Sequence, residues 1–209
     1  KLPFEDIVRE ILVKQESGTD PKYGCKPAER KTEDIVNYGI VLINKPQGPT
    51  SHQISDYVKK ILKLKKAGHS GTLDPNVYGL LPTALGNATR IVQVLLNAGK
   101  EYVGLMHLHD EIPEDRIRPE LEKYVGEITQ LPPIRSAVKR QWRKRNVYYI
   151  EILDIEGKDV LFRIGCQAGT YIRKYIHDFG QRLGCGAHMQ ELVRTKAGPF
   201  HYKDMVTLH

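Results

Sequence analysis

The sequence predicts an α+β fold with a mixed, mostly antiparallel sheet flanked by helices. Helical and strand patterns are intermixed along the 209 residues, and no internal repeat is visible. The clearest antiparallel signal is the segment 147–167, in which two alternating runs surround Glu156-Gly157-Lys158-Asp159, as in a β-hairpin. Hydrophobic residues make up 40% of the chain, so a sizeable core can form.

The individual elements follow from the spacing of apolar residues. Strands are expected where β-branched or alternating residues cluster, at 39–46, 78–86, 101–109 and in the two arms of the hairpin. Helices are expected where apolar residues recur every three or four positions, at 49–66, 88–100, 114–128 and 171–184. Thr50 or Ser51 can cap the first helix, and Gly99 can end the second.

Each amphipathic helix has a face that should be buried. In the first helix that face carries Ile54, Tyr57, Val58, Ile61 and Leu62. In the third it carries Ile117, Leu121 and Val125, and in the fourth Ile172, Tyr175, Ile176 and Phe179. Residues 1–36 differ from the rest, since they are mostly polar and rich in turn formers, and they are interpreted as an extended arm.

The net charge of +7 favours a polyanionic partner, of which nucleic acid is the commonest. Within RSAVKRQWRKR, at 135–145, six of eleven residues are basic and Trp142 stands among them. Such a run can be a merely solvated face, but a basic loop with an aromatic suits an RNA backbone and a stacked base, so RNA contact is favoured. The candidate RNA-binding residues are Arg135, Lys139, Arg140, Arg143, Lys144 and Arg145.

Other classes of protein and site are disfavoured. Three widely spaced cysteines form no CxxC pair, which argues against a zinc ribbon and suggests a reducing compartment, so a cytoplasmic protein is expected, nucleolar in a eukaryote. His107 and His109 share one side of a strand without an evident third metal ligand. No apolar run reaches membrane-spanning length, and the N-terminus lacks a signal-peptide pattern.

One carboxylate stands in a loop suited to chemistry. In GHSGTLDPNVYGLL, at 68–81, Gly68 and Gly71 permit sharp turns, and Pro75 keeps Asp74 out of helical geometry. Asp74 can be a turn residue that binds its own backbone, or a nucleophile or base presented by a rigid loop. Arg173 opens a helix, where it can be a solvent-exposed side chain or can reach a carboxylate or phosphate.

Seven segments in register carry a family resemblance over residues 39–200: KPQGPTSH, GHSGTLDP, GNATR, KEYVG, QLPPIRSAVKR, GTYIRKYIH and LVRTKAGPF. Together they resemble the TruB family of RNA pseudouridine synthases. Within that family, AGKEYVGLMHLHDEIPED and the long N-terminal arm are most similar to the archaeal dyskerin-type members, the catalytic subunits of H/ACA guide-RNA particles.

The resemblance implies a pseudouridine synthase fold and a role for particular residues. Asp74 matches the catalytic aspartate, Tyr102 the tyrosine that stacks on the target base, and Arg173 the arginine that pairs with the aspartate. Beside Arg173, Tyr171 matches a pocket-lining position. We expect Arg173 to favour the ionised form of a buried Asp74.

Further positions are assigned by the same resemblance. Leu192 matches a second pocket-lining residue, and His69 a histidine at the RNA face of the catalytic loop. Lys45 and Pro46 match a motif that packs behind that loop, and residues 132–147 match a mobile loop that clamps substrate RNA.

The implied reaction converts uridine to pseudouridine in rRNA, and in tRNA as a further substrate. It needs neither redox chemistry nor an activated water, so no cofactor and no metal are expected. The implied partners are substrate RNA, an H/ACA guide RNA, small Nop- and Gar-type accessory proteins and a kink-turn-binding protein of ribosomal type. Two alternatives stay open: a stand-alone tRNA pseudouridine synthase, and a non-catalytic RNA-binding scaffold.

The implied domain plan has three parts. The arm at 1–36 precedes a catalytic domain at 37–200, and 201–209 begins a linker. In dyskerin-type members that linker leads to a C-terminal PUA domain that grips guide RNA, which this sequence does not include.

Overall fold

The computed structural model describes residues 1–16, 18, 20–132 and 139–209. In these residues the strands are β1 Ile40–Lys45, β2 Ala67–His69, β3 Tyr78–Leu85, β4 Lys100–Leu108, β5 Gly126–Gln130, β6 Arg143–Glu156, β7 Asp159–Cys166, β8 Ala187–Ala197 and β9 Phe200–His201. The α-helices are α1 Thr32–Tyr38, α2 Ser51–Ile61, α3 Val92–Leu96, α4 Glu114–Glu122 and α5 Ile172–Leu183. Short 3-10 segments occupy Pro3–Asp6, Pro21–Tyr23, Pro27–Glu29, Gly86–Ile91 and Tyr202–Asp204.

The strands form a single sheet in the order β1-β3-β8-β4-β7-β6-β5, with β2 also paired to β3 and β9 to β8. Neighbouring strands are antiparallel except β3 and β8, which pair in parallel over two residues. The predicted α+β fold with a mixed, mostly antiparallel sheet is therefore confirmed. The predicted hairpin corresponds to β6 and β7, which are joined at Gly157 and Lys158.

Helices pack on the sheet through two apolar clusters. The larger lies between β4, β7 and β8 and helices α4 and α5, and it includes Met106, Phe162, Ile164, Ile176 and Phe179. The smaller lies between α2 and strands β1 and β3. The two clusters meet the sheet on either side of the β3–β8 pairing, where the candidate site is found.

The predicted helix faces are correct only in part. Ile54 and Val58 of α2 are buried, but Tyr57, Ile61 and Leu62 are exposed, so the buried face of this helix is narrower than predicted. All four predicted core residues of α5 are buried, as are Ile117 and Leu121 of α4. Val125 is exposed, because α4 ends at Glu122 and the chain turns into β5 at Gly126, whose φ is +101°.

The predicted second helix is shorter than expected. Its first residues form the 3-10 segment Gly86–Ile91, and α3 ends at Leu96 rather than at Gly99. Lys100 explains the early end, because its ammonium group donates to the carbonyls of Leu95, Leu96 and Ala98 at 3.2, 2.8 and 2.6 Å.

The N-terminal segment is not wholly separate from the domain. Leu2 is fully buried, and α1 begins at Thr32, inside the predicted arm. Between these two points the described residues contain only short 3-10 segments. No helix among the described residues combines the length and apolar character that crossing a bilayer would require.

Candidate active site

The loop that carries Asp74 is fixed by its neighbours on both sides. Gly71 adopts a φ of +120°, which favours glycine, and Leu73 is buried. The Ser51 hydroxyl at the start of α2 accepts a hydrogen bond from the Leu73 amide at 2.9 Å and lies 3.2 Å from the Leu73 carbonyl. The Val77 amide donates to the Asp74 carbonyl at 3.0 Å, which closes a turn. The backbone on each side of Asp74 is therefore held, while its side chain is about half exposed, 51%.

Lys45 lies beneath this loop and is completely buried. Its ammonium group donates to the carbonyls of Pro46, Pro75 and Val77 at 2.8, 3.2 and 2.8 Å. Burial lowers the pKa of Lys45, and the nearby Asp74 carboxylate opposes that change. The predicted position of Lys45 behind the loop is thus present, and the side chain links β1 to the residues that follow Asp74.

Arg194 of β8 is a second buried cation under the loop, and sequence reasoning missed it. Only 1% of it is exposed. Its Nε donates to the Leu80 carbonyl at 2.7 Å and its Nη2 to the Gly71 carbonyl at 3.1 Å. Lys100 approaches Gly71 from β4, and burial lowers its pKa to about 8. The sequence did contain a signal for the burial of Arg194. This arginine lies two residues after Leu192 in an alternating strand, and this spacing places both side chains on the same, buried face.

Arg173 meets Asp74 across the site. Its Nη2 lies 2.9 Å from Asp74 Oδ2, and 56% of the arginine side chain is exposed. The expectation of a buried Asp74 was wrong: the pair faces solvent because Asp74 stands at the tip of a turn and Arg173 in the first turn of α5. A solvent-exposed ion pair stabilises a fold little, so this one chiefly orients the carboxylate.

The start of α5 is held by a buried glutamine of β5. Gln130 Nε2 donates to the Tyr171 carbonyl at 3.1 Å, and the Tyr171 amide donates to Gln130 Oε1 at 3.0 Å. Tyr171 is half-buried and immediately precedes α5. Gln130 therefore fixes the backbone from which both Tyr171 and Arg173 project, a role that sequence reasoning also missed.

Tyr102 projects from β4 on the same sheet face as Arg194, with which it is paired in register. Burial raises the pKa of Tyr102, and the positive charge of Arg194 opposes that increase. The tyrosine stays neutral at physiological pH, so it offers an aromatic ring rather than a charge. Leu192 lies on this face too, buried in the larger cluster against Gly104.

His69 lies at the end of β2, just before the loop. Its ring makes an edge contact with His52 at a centroid distance of 4.8 Å, and neither ring nitrogen has a hydrogen-bond partner among the described residues. Burial lowers the pKa of His69 to about 4, with the neighbouring His52 and Arg194 acting in the same direction. His69 is therefore uncharged at neutral pH and its ring nitrogens are buried, so it does not present a charge to RNA.

The basic segment is only partly a loop. Arg135 lies outside the described residues, and Lys139 and Arg140 are exposed without regular structure. Arg143, Lys144 and Arg145 belong to β6, so the predicted loop at 132–147 is wrong for these three residues, which are held by pairing with β5.

Side chains in β6 alternate between the two faces of the sheet. Lys144 pairs with Glu127 at 2.8 Å. The Arg145 guanidinium lies over Gly169, which is two residues before Tyr171. Its Nε is 3.1 Å from the position that a Cβ atom would take at Gly169. Arg145 thus lies beside the backbone that leads into α5, and Lys144 points to the other face of the sheet. Trp142, just before the strand, is 68% exposed.

Three family models match the sequence of this chain. The chain matches the TruB family pseudouridylate synthase N-terminal domain over residues 59–172, and the tRNA pseudouridylate synthase B C-terminal domain over 173–209. Residues 1–55 match the DKCLD (NUC011) domain, which accounts for the N-terminal arm.

Individual proteins are similar over nearly the whole chain. The Probable tRNA pseudouridine synthase B of Pyrococcus abyssi is 58% identical over 98% of this chain and 62% of its own length. That of Methanopyrus kandleri is 55% identical over 100% of this chain and 62% of its own length. The chain therefore spans less than two thirds of the length of these relatives.

Among solved structures, one of a Cbf5-Nop10-Gar1 complex contains a chain that is 57% identical, with a TM-score of 0.93 over 100% of this chain and 64% of that one. Another, of an H/ACA RNP bound to a substrate RNA containing 2′-deoxyuridine, contains a chain that is 53% identical, with a TM-score of 0.89 over 98% of this chain and 62% of that one. On the extent of these matches, this chain belongs to the TruB family of pseudouridylate synthases.

Proposed function

We propose that this protein isomerises uridine to pseudouridine in RNA, directed by an H/ACA guide RNA, with Asp74 as the catalytic carboxylate. The observation that carries the proposal is the Asp74–Arg173 contact at 2.9 Å, placed at an open surface on a backbone that is held on every side. This contact joins the loop that carries Asp74 to the first turn of α5, about 100 residues further along the chain, so it depends on the tertiary fold.

The chemistry asks for one well-placed carboxylate. The N1–C1′ bond of uridine breaks, the base turns over, a C5–C1′ bond forms, the proton at C5 leaves and N1 gains a proton. Atoms and electrons balance without an oxidant, a reductant or a water molecule. Asp74 serves this reaction either by attack on C1′ or by assisting formation of a glycal, and both routes need the carboxylate at the sugar.

The surroundings of Asp74 suit an extruded nucleotide. A base must leave its stack to reach the carboxylate, and the Tyr102 ring can replace the lost stacking. The buried cations donate to backbone carbonyls, Lys45 and Arg194 to those around the loop and Lys100 to those at the end of α3, so they shape the site without competing for the RNA phosphates. Phosphates are instead expected at Lys139 and Arg140, which are exposed, and at Arg143 and Arg145, which are half-buried in β6.

Guide RNA and accessory proteins enter the proposal through similar proteins. The structural neighbours are a Cbf5-Nop10-Gar1 complex and an H/ACA RNP bound to a substrate RNA. We infer Nop- and Gar-type partners from them, together with a kink-turn-binding protein of ribosomal type, which rests on the family resemblance alone. The match of residues 1–55 to the DKCLD domain supports the hypothesis that a guide RNA directs the reaction.

A second candidate substrate is tRNA acted on without a guide, and the names of the archaeal relatives favour it. The two functions share the Asp74 chemistry and differ in how the uridine is chosen. Tritium release from [5-³H]uridine distinguishes them, because the C5 proton leaves in the reaction. We expect release from a guide-complementary target only when guide RNA is present; release from a tRNA transcript alone at an equal or higher rate would favour the second candidate.

The catalytic role of Asp74 is tested by Asp74→Asn, which retains the shape of the side chain and removes its charge. Tritium release should fall below detection, while RNA affinity should stay within a few fold. The matched control is Glu151→Gln, because Glu151 is likewise about half exposed and pairs with an arginine, Arg163, at 2.8 Å. Turnover by Asp74→Asn, or loss of turnover in both variants, would refute the assignment.

A further inference from the structure

The pairing of β4 with β8 contains a β-bulge next to the candidate site. Glu101 of β4 is opposite Lys196, but the next residue, Tyr102, is opposite Arg194. Thr195 is therefore an extra residue in β8 with no counterpart in β4. Such a bulge changes the phase of the strand, so that side chains beyond it point to the other face.

The burial pattern of β8 shows this change of phase. Leu192 and Arg194 are buried on the face that carries Tyr102, as strict alternation requires, but the next buried residue is Ala197 and not Lys196. Lys196 instead lies on the opposite face, beside Glu5 at 3.0 Å and Glu101 at 3.6 Å. Without the bulge, either Arg194 or Ala197 would have to leave the buried face.

Glu101 holds the bulge from that opposite face. Its carboxylate is buried, with 6% of the residue exposed. The Thr195 hydroxyl donates to Glu101 Oε1 at 2.8 Å, and the Tyr149 hydroxyl donates to Oε2 at 2.5 Å. The Tyr149 ring lies on Gly165 of β7, where even a Cβ atom would be 2.2 Å from the ring. Both carboxylate oxygens are thus hydrogen-bonded to other strands of the sheet, Oε1 to β8 and Oε2 to β6.

We propose that Glu101 and Thr195 are positioning residues for the isomerisation, because their hydrogen bond fixes the bulge that keeps Tyr102 and Arg194 opposite each other beneath the Asp74 loop. Neither residue reaches the reacting atoms. The effect passes through the backbone of β8 to Arg194, which holds the Gly71 carbonyl at 3.1 Å, and through β4 to Tyr102. This inference rests on the proposed function, since it assigns to Tyr102 and Asp74 their roles in that reaction.

The test separates the bulge from the rest of the network. Thr195→Val is isosteric and removes the hydroxyl that binds Glu101 Oε1, while Tyr149→Phe removes the hydroxyl that binds Oε2 and keeps the ring on Gly165. Each variant loses one hydrogen bond to the same buried carboxylate, so both should lower Tm by comparable amounts. Only Thr195→Val should lower the single-turnover rate of tritium release, by about 10- to 100-fold, since small misplacements near the reacting atoms cost that much.

Rescue by serine completes the design. Thr195→Ser restores the hydroxyl and should recover turnover to within about threefold of the unchanged protein. That difference corresponds to an activation barrier higher by less than about 1 kcal/mol. The experiment uses the full-length protein assembled with guide RNA, and RNA affinity is measured alongside. No variant should change that affinity by more than about twofold, because every basic side chain of β6 is retained.

Two outcomes overturn the inference: full turnover by Thr195→Val, or an equal loss in Thr195→Val and Tyr149→Phe, which would mean that general stability and not the bulge matters. Asp74→Asn in the same assay keeps the two proposals apart. If it is inactive while Thr195→Val is fully active, only the positioning role fails. If it is active, the proposed catalytic role fails, whatever the other variants do.

Discussion

Replacing Lys45 with methionine removes the ammonium group beneath the Asp74 loop and leaves an apolar chain of similar length. Three carbonyl oxygens, those of Pro46, Pro75 and Val77, then lose a charged donor at 2.8–3.2 Å. The site is fully buried, so water cannot readily take the place of the ammonium group. We expect a loss of both stability and turnover.

The magnitude follows from opposing contributions. A hydrogen bond to a charged group contributes about 1.5–3 kcal/mol, which gives a gross loss of roughly 5–9 kcal/mol for three. Removing the buried charge relieves a desolvation penalty of several kcal/mol, and the same burial lowers the pKa of Lys45. The expected net loss in the free energy of unfolding is about 2–4 kcal/mol. Turnover should fall by about tenfold or more, because two of the three carbonyls lie within three residues after Asp74.

Guanidinium unfolding at pH 7 gives the stability change, and tritium release under conditions where the variant is folded gives the turnover. The matched control is Lys60→Met, since Lys60 is a surface lysine of α2 that pairs with Asp56 at 2.8 Å. That variant should be indistinguishable from the unchanged protein in both measurements. If Lys45→Met were as stable and as active as the control, the account of Lys45 as the support of the loop would be wrong.

Three further predictions concern pH, stacking and metal. As pH falls from about 6.5 to about 4, the unfolded chain binds a proton at His69 that the folded protein excludes, so the free energy of unfolding should decrease by up to about 3 kcal/mol. In His69→Gln, the free energy of unfolding should depend less steeply on pH over this range. An unaltered pH dependence in that variant would contradict the burial of His69. Tyr102→Phe should keep most of the RNA affinity and turnover while Tyr102→Ala loses about 1–3 kcal/mol of stacking, and equal behaviour in a paired binding and turnover assay would exclude Tyr102 as the stacking residue. EDTA should leave tritium release unchanged at constant monovalent salt because the reaction needs no Lewis acid, and a loss that only zinc restores would overturn this expectation.

Local patterns in the sequence were sufficient for much of the fold. The alternation in 147–167 predicted the β6–β7 hairpin, and the three- and four-residue spacing in α5 predicted its buried face correctly. These predictions succeed because strand and helix periods are properties of adjacent residues. They were weaker at the ends of α2, α3 and α4, where tertiary contacts such as those of Lys100 decide the last turn.

The motifs assigned Asp74, Tyr102 and Arg173 to the family's site, but they did not predict the distances between these residues or how exposed each side chain is. The exposure of Asp74 depends on the turn that Val77 closes, and its contact with Arg173 depends on Gln130, which comes from a strand at the far edge of the sheet. Neither is encoded in the neighbourhood of Asp74. The roles of these residues stay predictions until the variants above are measured.

The sequence by itself determined the family and the fold class and nominated the residues proposed to carry the chemistry, because each is written in segments of about ten residues or fewer. Only the tertiary structure decided that Arg194 is a buried support of the loop, that Lys45 binds three carbonyls there, and that Thr195 forms a bulge. Arg194 binds the carbonyl of Leu80, 114 residues away, and Glu101 meets Thr195 across 94 residues. The alternation of buried and exposed residues along β8 cannot by itself reveal the bulge. The one-residue shift is set by the pairing with β4 and by the buried Glu101 carboxylate that binds Thr195.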